Sequence, residues 1–136
     1  TYAGTYRAEV VPPNVIITGT AEGQASHLGR STATFSIAVS LARTDVPNCP
    51  TPGTTEIYTA TLTAANGDTI TLEGTGYGCQ TSPTTLAVVD TVTVTGGTGR
   101  FEGASGSLTV QTAVDQPSGT ETFTVDGTLS TPGSIK

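Results

Sequence analysis

The sequence predicts an all-β fold: an eight-stranded antiparallel, up-and-down barrel formed by residues 1–136 as one domain. Three observations support this. The composition is rich in strand and turn formers, with 30 Thr, 17 Gly and 8 Pro and neither Trp nor Met. Apolar and polar residues alternate with period two along most of the chain, and no segment of ten residues keeps a helical period. A chain of 136 residues fits a single domain.

The first three strands follow from this alternation. YRAEVV is the first, and Pro12-Pro13 ends it. NVIITGTAEG is the second. GRSTATFSIAVSLA is the third, with the face bearing Ala33, Phe35 and Ile37 apolar and the other face mostly Thr and Ser. That pattern predicts a strand with one face in a core.

The remaining strands are separated by turn signals. EIYTATLTAANGDTITLEGTGYG predicts a hairpin in which Asn66-Gly67 supplies the positive φ of a type I′ turn. TTLAVVDTVTVTGG, SGSLTVQTAV and TETFTVDGTLS complete the series, and DQPSG links the last two. Alternation alone allows a sandwich or a barrel. A small closed barrel fits better because closure leaves no exposed strand edges.

The two cysteines, Cys49 and Cys79, lie in the loop-like stretches VPNCPTPG and GYGCQTSP. Their spacing fits neither a CxxC redox motif nor a zinc site, so a disulfide is the better interpretation. Disulfides persist in oxidising compartments, which predicts a secreted, extracellular protein. A signal peptide removed before Thr1 would agree with that expectation.

The charge balance excludes several classes of partner. The net charge is -6, and only five Lys and Arg are scattered through the chain. No basic surface for nucleic acid can be built from them. No apolar run approaches the ~20 residues of a membrane span. We therefore expect neither a nucleic-acid partner nor a transmembrane segment.

The stretch TVTVTGGTGRFEGASGSLTV contains a glycine-rich break between two alternating segments. A phosphate-binding loop would have to open a helix, and a strand pattern follows instead. The break is therefore predicted to be a structural reversal, with Phe101 plugging the barrel end and Arg100 and Glu102 in solvent. Its predicted turn glycines are Gly96, Gly97, Gly99, Gly103 and Gly106.

The segment VTGGTGRFEGASGSLTV resembles one shared by the allene oxide cyclase barrel family and the plant dirigent proteins. GTAEGQASHLGRSTATFSI and TAANGDTITLEGTG are similar to secreted bacterial members of that group. The resemblance implies a calycin-like eight-stranded barrel with a central cavity, needing no metal or organic cofactor, and a homo-oligomer, usually a trimer in plants. It also implies either cyclisation of an unsaturated epoxide or steering of phenoxy-radical coupling.

Successive side chains of a strand point to opposite faces, so residues two positions apart share a face; we call this shared face their parity, and it selects the candidate site residues. Asp90 shares parity with Val88 and Val92 and is predicted to point into the barrel, where a carboxylate without a partner has a raised pKa. We predict that Asp90 is the catalytic residue. The alternatives are that Asp90 forms a salt bridge with an arginine, or that a β-bulge turns it towards solvent. Glu121 shares parity with Phe123 and is expected near the barrel mouth as a ligand-binding residue.

Aromatic residues complete the predicted ligand-binding set. Tyr58 shares a strand face with Ala60 and Leu62, and a small alanine leaves space beside its ring. Tyr6 is predicted to lie on the inner face of the first strand, and Phe35 lies on the apolar face of the third strand. The alternative is that these rings form the core. His27, the single histidine, stands in the predicted HLGR turn without a Cys or His neighbour, so it is predicted to be structural and no metal site is expected.

Three functions fit these features. The first is a non-catalytic module that binds a small apolar molecule or mediates association. The second is a cofactor-free cyclase or isomerase that uses the inward Asp90 carboxylate. The third is a structural or assembly protein of an extracellular matrix or filament. A cavity of several hundred Å³ near Asp90 favours the ligand-binding and enzymatic hypotheses, whereas a fully packed interior argues against both.

Overall fold

A computed structural model describes residues 1–25, 28–46 and 48–130. The chain forms a closed eight-stranded barrel in which each strand pairs antiparallel with the next and the last strand returns to the first. This confirms the predicted fold class. The strands are β1 (Tyr2–Val11), β2 (Asn14–Ala25), β3 (Gly29–Ser40), β4 (Thr54–Ala64), β5 (Thr69–Gln80), β6 (Thr85–Gly97), β7 (Ser105–Asp115) and β8 (Thr120–Ser130).

Strict alternation of side chains produces the two faces of the barrel wall. In β4, for example, Tyr58, Ala60 and Leu62 are buried, while Thr59 between them is exposed. The outer face of most strands is threonine, which tolerates the pleated, solvated position because it is β-branched and polar. The inner face supplies one continuous core.

The β4–β5 hairpin differs from its predicted turn type. Gly67 has a φ of 93°, but Asn66 is not among the positive-φ residues, so the type I′ prediction is wrong. The Gly67 amide donates to the Ala64 carbonyl and the Ala64 amide donates to the Asp68 carbonyl. These bonds define a three-residue loop in which one glycine, instead of two residues, takes the left-handed conformation.

The glycine-rich segment between β6 and β7 forms a short 3₁₀ turn, Gly99–Phe101. Gly99 and Gly103 have φ values of 59° and 78°, which favour glycine. Phe101 is 1% exposed and covers one end of the barrel. The Arg100 guanidinium lies 3.8 Å from the Asp68 carboxylate and stacks over the Phe101 ring, so the charged neighbour of the plug stays outside.

The two ends of the barrel are built differently. The closed end is the one at which β1, β3, β5 and β7 begin, and it is filled by aromatic rings. Phe101 is one of them. Phe123 stacks on Tyr2 with 5.0 Å between ring centroids, and it meets Phe35 edge-on with 6.5 Å between centroids. The open end is where these same strands finish. There the inward residues Ala8 and Val10 of β1 are exposed, and those of β2 are only partly buried.

A disulfide joins Cys49 to Cys79 at the open end, as the sequence predicts. Cys49 lies in the long connection between β3 and β4, residues 41–53, and Cys79 lies in β5. A single bridge between Thr44 and Gly53 closes the base of this connection. The bond therefore fastens the longest loop of the barrel to its wall.

No helix within the described ranges is long and apolar enough to cross a bilayer. His27, predicted to be structural, lies outside the described residues.

The closure of the barrel is its shortest strand interface. Tyr2 to Thr5 of β1 pair with Phe123 to Thr120 of β8, whereas β1 pairs with β2 along its entire length. Along the described chain, β8 beyond Phe123 therefore has a ladder partner only on its β7 side.

Candidate functional site

Three carboxyl groups form a layer inside the barrel between the packed and open halves. Glu56 of β4, Asp90 of β6 and Glu121 of β8 are 6%, 0% and 7% exposed. Each occupies an inward position directly beside buried apolar residues of the same strand. We call these three side chains the carboxyl layer.

A glycine makes space for two members of this layer. Gly76 of β5 pairs with Glu56 on one side and with Asp90 on the other, so the two acidic residues flank it on the inner wall. A β-carbon at Gly76 would collide with Asp90 Oδ1 and with the Val89 carbonyl oxygen. The absence of a side chain here lets the Asp90 carboxyl group lie against the wall and face Glu56.

Several oxygen atoms of the carboxyl layer have no hydrogen-bond partner among the described residues. They are Glu56 Oε2, both carboxyl oxygens of Asp90, and Glu121 Oε1. The packed half differs, because its buried Tyr2 hydroxyl shares a 2.5 Å hydrogen bond with Ser31 Oγ. Unpaired buried oxygens are costly for stability, so their concentration at one level indicates a functional site.

Burial raises the pKa of all three carboxyl groups. Desolvation, followed by the proximity and charge of the Asp90 carboxyl group and by the charge of Glu121, raises the pKa of Glu56 to about 9. Desolvation raises the pKa of Asp90 to about 6, and the neighbouring Glu56 carboxyl group opposes that rise. At neutral pH Glu56 therefore keeps its proton beside the ionised Asp90 carboxylate, because two close carboxylates do not both ionise readily.

Glu121 stands apart from this pair. Desolvation raises its pKa to about 7, with no hydrogen bond contributing to the shift. The carboxyl layer thus combines a protonated acid, a buried carboxylate and a third group that titrates near neutrality. Groups tuned in this way can bind a cation or move a proton.

Two tyrosines border the carboxyl layer. Tyr58 is 4% exposed and lies one inward position below Glu56 on β4. Burial, and then the charges of Asp90, Glu121 and Glu56, raise its pKa, so its hydroxyl remains protonated. Tyr6 lies on the cavity side, and burial followed by the charges of Glu121 and Asp115 raises its pKa.

Above the carboxyl layer the barrel encloses a cavity of about 320 Å³. Glu56 and Glu121 form part of its floor. Its walls are mostly aliphatic, with Ile17, Val39 and Val114 among them. The volume is at the lower end of the roughly 300–1,000 Å³ typical of small-molecule sites.

The rim of the cavity is polar. Gln80 donates a 2.6 Å hydrogen bond to Gln116, joining the ends of β5 and β7. Leu41 and Arg43, from the disulfide-fastened loop, line the opposite part of the rim. The Arg43 guanidinium donates to the Pro52 carbonyl at 3.5 Å within the same loop.

The structure brings together only some of the predicted site residues. Asp90, Glu121 and Tyr58 belong to or adjoin the carboxyl layer, and Tyr6 lines the cavity. Phe35 lies among the packed aromatic rings of the closed half. The ion pair that forms in the described chain joins Arg100 to Asp68, so the predicted alternative of an arginine partner for Asp90 does not occur there.

Sequence reasoning missed Glu56. Its signal was available, because Glu56 shares the inward parity of Tyr58, Ala60 and Leu62. A second signal was the alternation of glycines in GTGYG, at Gly74, Gly76 and Gly78. These glycines pair with inward residues of β4 and β6, and the missing side chains leave space inside the barrel.

Within the described ranges, no three His, Cys, Asp or Glu side chains converge as metal ligands. Comparisons of the chain with protein-family models, with curated proteins and with solved structures find no match.

Proposed function

We propose that this protein binds a small, largely apolar molecule inside the open half of its barrel. The observation that carries the proposal is the cavity of about 320 Å³, with aliphatic walls and with Glu56 and Glu121 on its floor. Apolar walls supply binding free energy by removing ligand surface from water. A few polar groups at one level orient the bound molecule.

The closed half of the barrel stabilises the fold, and the open half leaves room for a ligand. The closed half is packed with aromatic and aliphatic side chains and contributes to the core. The open half leaves Ile17 and Val39 only partly buried, although both face inward. A bound apolar molecule would complete the burial of these side chains.

Fluorescence of N-phenyl-1-naphthylamine tests the proposal, because this neutral probe brightens in apolar sites. Val114→Trp places an indole in the cavity wall, so we expect probe binding to weaken at least about tenfold. Ala113→Trp is the matched control, since Ala113 is the exposed neighbour on the same strand. Equal binding by both variants, or no binding by the unmodified protein, would contradict the proposal.

Cofactor-free acid–base catalysis is a second candidate, favoured by the pairing of a raised-pKa acid with a separate base in one cavity. Glu121 would accept a proton from the substrate, and Glu56 would return one to another atom of it. Asp90, the predicted catalytic residue, would then act through Glu56 as a positioning residue. Such a transfer suits an isomerase or cyclase, because the substrate's composition is unchanged.

Kemp elimination of 5-nitrobenzisoxazole tests this second candidate. A base removes the ring C–H proton while the N–O bond breaks, yielding a coloured cyanonitrophenolate. We expect a rate that rises with pH through about 7 and falls at least tenfold in Glu121→Gln. Glu73→Gln, on the exposed face of β5, serves as the control. An unchanged rate in the Glu121 variant argues against this activity.

Secretion, membership of the allene oxide cyclase and dirigent group, and trimer formation remain proposals. The Cys49–Cys79 bond supports an oxidising compartment, because such bonds are rare in the cytosol. The eight-stranded barrel supports the family resemblance only at the level of fold. The mass of the native protein in solution tests the trimer, and a monomer at high concentration would contradict it.

A further inference from the structure

The floor of the cavity and its walls differ sharply in chemistry. The walls are mostly aliphatic, whereas the floor presents Glu56 and Glu121, and Asp90 lies next to Glu56 on the other side of Gly76. Glu56 Oε2 and Glu121 Oε1 are buried and lack a hydrogen-bond partner in the described part of the chain. A neutral apolar ligand would leave these desolvated oxygens unsatisfied, so it would not offset the cost of their burial.

The protein itself supplies no nearby compensating charge from its described arginines. Arg7, Arg30, Arg43 and Arg100 are all exposed, and the last pairs with Asp68 at the closed end. Arg43 reaches the cavity only at its rim, where it donates to the Pro52 carbonyl. A positive charge at the floor would therefore have to come from the ligand.

Two kinds of cation could provide that charge, and the geometry separates them. A metal ion needs several oxygen ligands converging on one point, and the described acidic residues show no such group. An organic ammonium group donates separate hydrogen bonds in different directions, which suits oxygens spread over β4 and β8. The aliphatic walls would then hold the rest of such a molecule.

We infer that the ligand is an organic cation: a protonated amine on a compact apolar body, with its nitrogen at Glu121 and Glu56 and its body against the aliphatic walls. This inference rests on the proposed binding function. Charge-assisted hydrogen bonds from the ammonium group satisfy the unpaired carboxyl oxygens, and the apolar body fills the open half.

The inference implies that binding is coupled to proton release. Glu56 of β4 and Glu121 of β8 face the bound nitrogen, with Tyr6 of β1 beside them and Arg43 at the rim, and the buried Asp90 of β6 lies next to Glu56. A cation favours the charged form of each carboxyl group. Amine affinity should therefore rise from pH 5 to pH 8, as Glu121, whose pKa is about 7, loses its proton.

Isothermal titration with a matched pair of probes tests the inference. 1-Naphthylmethylamine carries the positive charge, and 1-naphthylmethanol has nearly the same shape without it. At pH 8 we expect the amine to bind at least about tenfold more tightly than the alcohol, a difference of about 1.4 kcal/mol. At pH 5 the ratio of amine affinity to alcohol affinity should fall towards one. This comparison uses the unmodified protein alone.

Glu121→Gln should weaken amine binding about tenfold and leave alcohol binding nearly unchanged, while Glu73→Gln should change neither. Equal affinities for both probes at pH 8 would overturn the inference and leave the cavity proposal standing. Displacement of the amine by Ca²⁺ or Mg²⁺ at millimolar concentration would indicate a metal site and also overturn it. Absence of binding by either probe would overturn both proposals.

Discussion

Single residues decide the electrostatics of this barrel. Asp90 was predicted to face inward from its parity with Val88 and Val92, and it is fully buried. Parity also applied to Glu56, but a carboxylate at a strand start is commonly solvated, so its sequence position concealed its burial. The raised pKa of Glu56 depends in part on its facing Asp90 across Gly76, a cross-strand relation that reading one strand at a time does not reveal.

Glu121→Gln should change how stability depends on pH. The folded pKa of Glu121 is about 7, above its value of 4.5 in the unfolded chain, so the folded state holds the proton more strongly. Its stabilising effect is complete below about pH 4.5 and disappears as pH rises through about 7, on the order of 3 kcal/mol.

Urea unfolding at pH 5 and pH 8 measures this effect. The unmodified protein should be less stable at pH 8, and the glutamine variant should show a smaller difference, because its amide cannot ionise. Some difference should remain from Glu56 and Asp90, whose pKa values are also raised. Glu73→Gln, exposed on β5, should keep the full pH dependence. An unaltered difference in the Glu121 variant would contradict the assignment.

Strands and turns were predictable because their signals are local. Alternation gave all eight strands, and Pro12-Pro13, the glycine-rich reversal and DQPSG lie at the strand ends. The error at Asn66-Gly67 has a local cause as well. An Asn-Gly pair suits both a two-residue loop and a three-residue loop, and the register of β4 against β5 selects the latter.

Gly76→Ala tests the role of β5 in making space for the carboxyl layer. Its β-carbon would collide with Asp90 Oδ1 and with backbone, so we expect a loss of about 1–3 kcal/mol in the free energy of unfolding. Gly96→Ala is the control, because its β-carbon would meet only Thr71 Oγ1 at 3.4 Å. Chemical denaturation measures both variants, and equal losses would contradict this role for Gly76.

At the scale of the whole molecule, the division into a packed and an open half was not predictable from the sequence. Parity shows whether a side chain faces inward, but not how deep it lies. Depth depends on the stagger of all eight strands and on the summed volume of side chains at each level. Phe35 illustrates the difference, since it faces inward as predicted but packs edge-on against Phe123 in the closed half.

The short interface between β1 and β8 has a consequence for motion. Local opening begins where few hydrogen bonds must break, and in the described chain only Tyr2 to Thr5 bind β8 in the ladder. Amide exchange should therefore be faster along β1 than along β4, and uniform protection would contradict this. Tyr6 and Ala8 of β1 form part of the cavity wall. The strand that opens first is thus a wall of the proposed binding site, so ligand occupancy should slow its exchange.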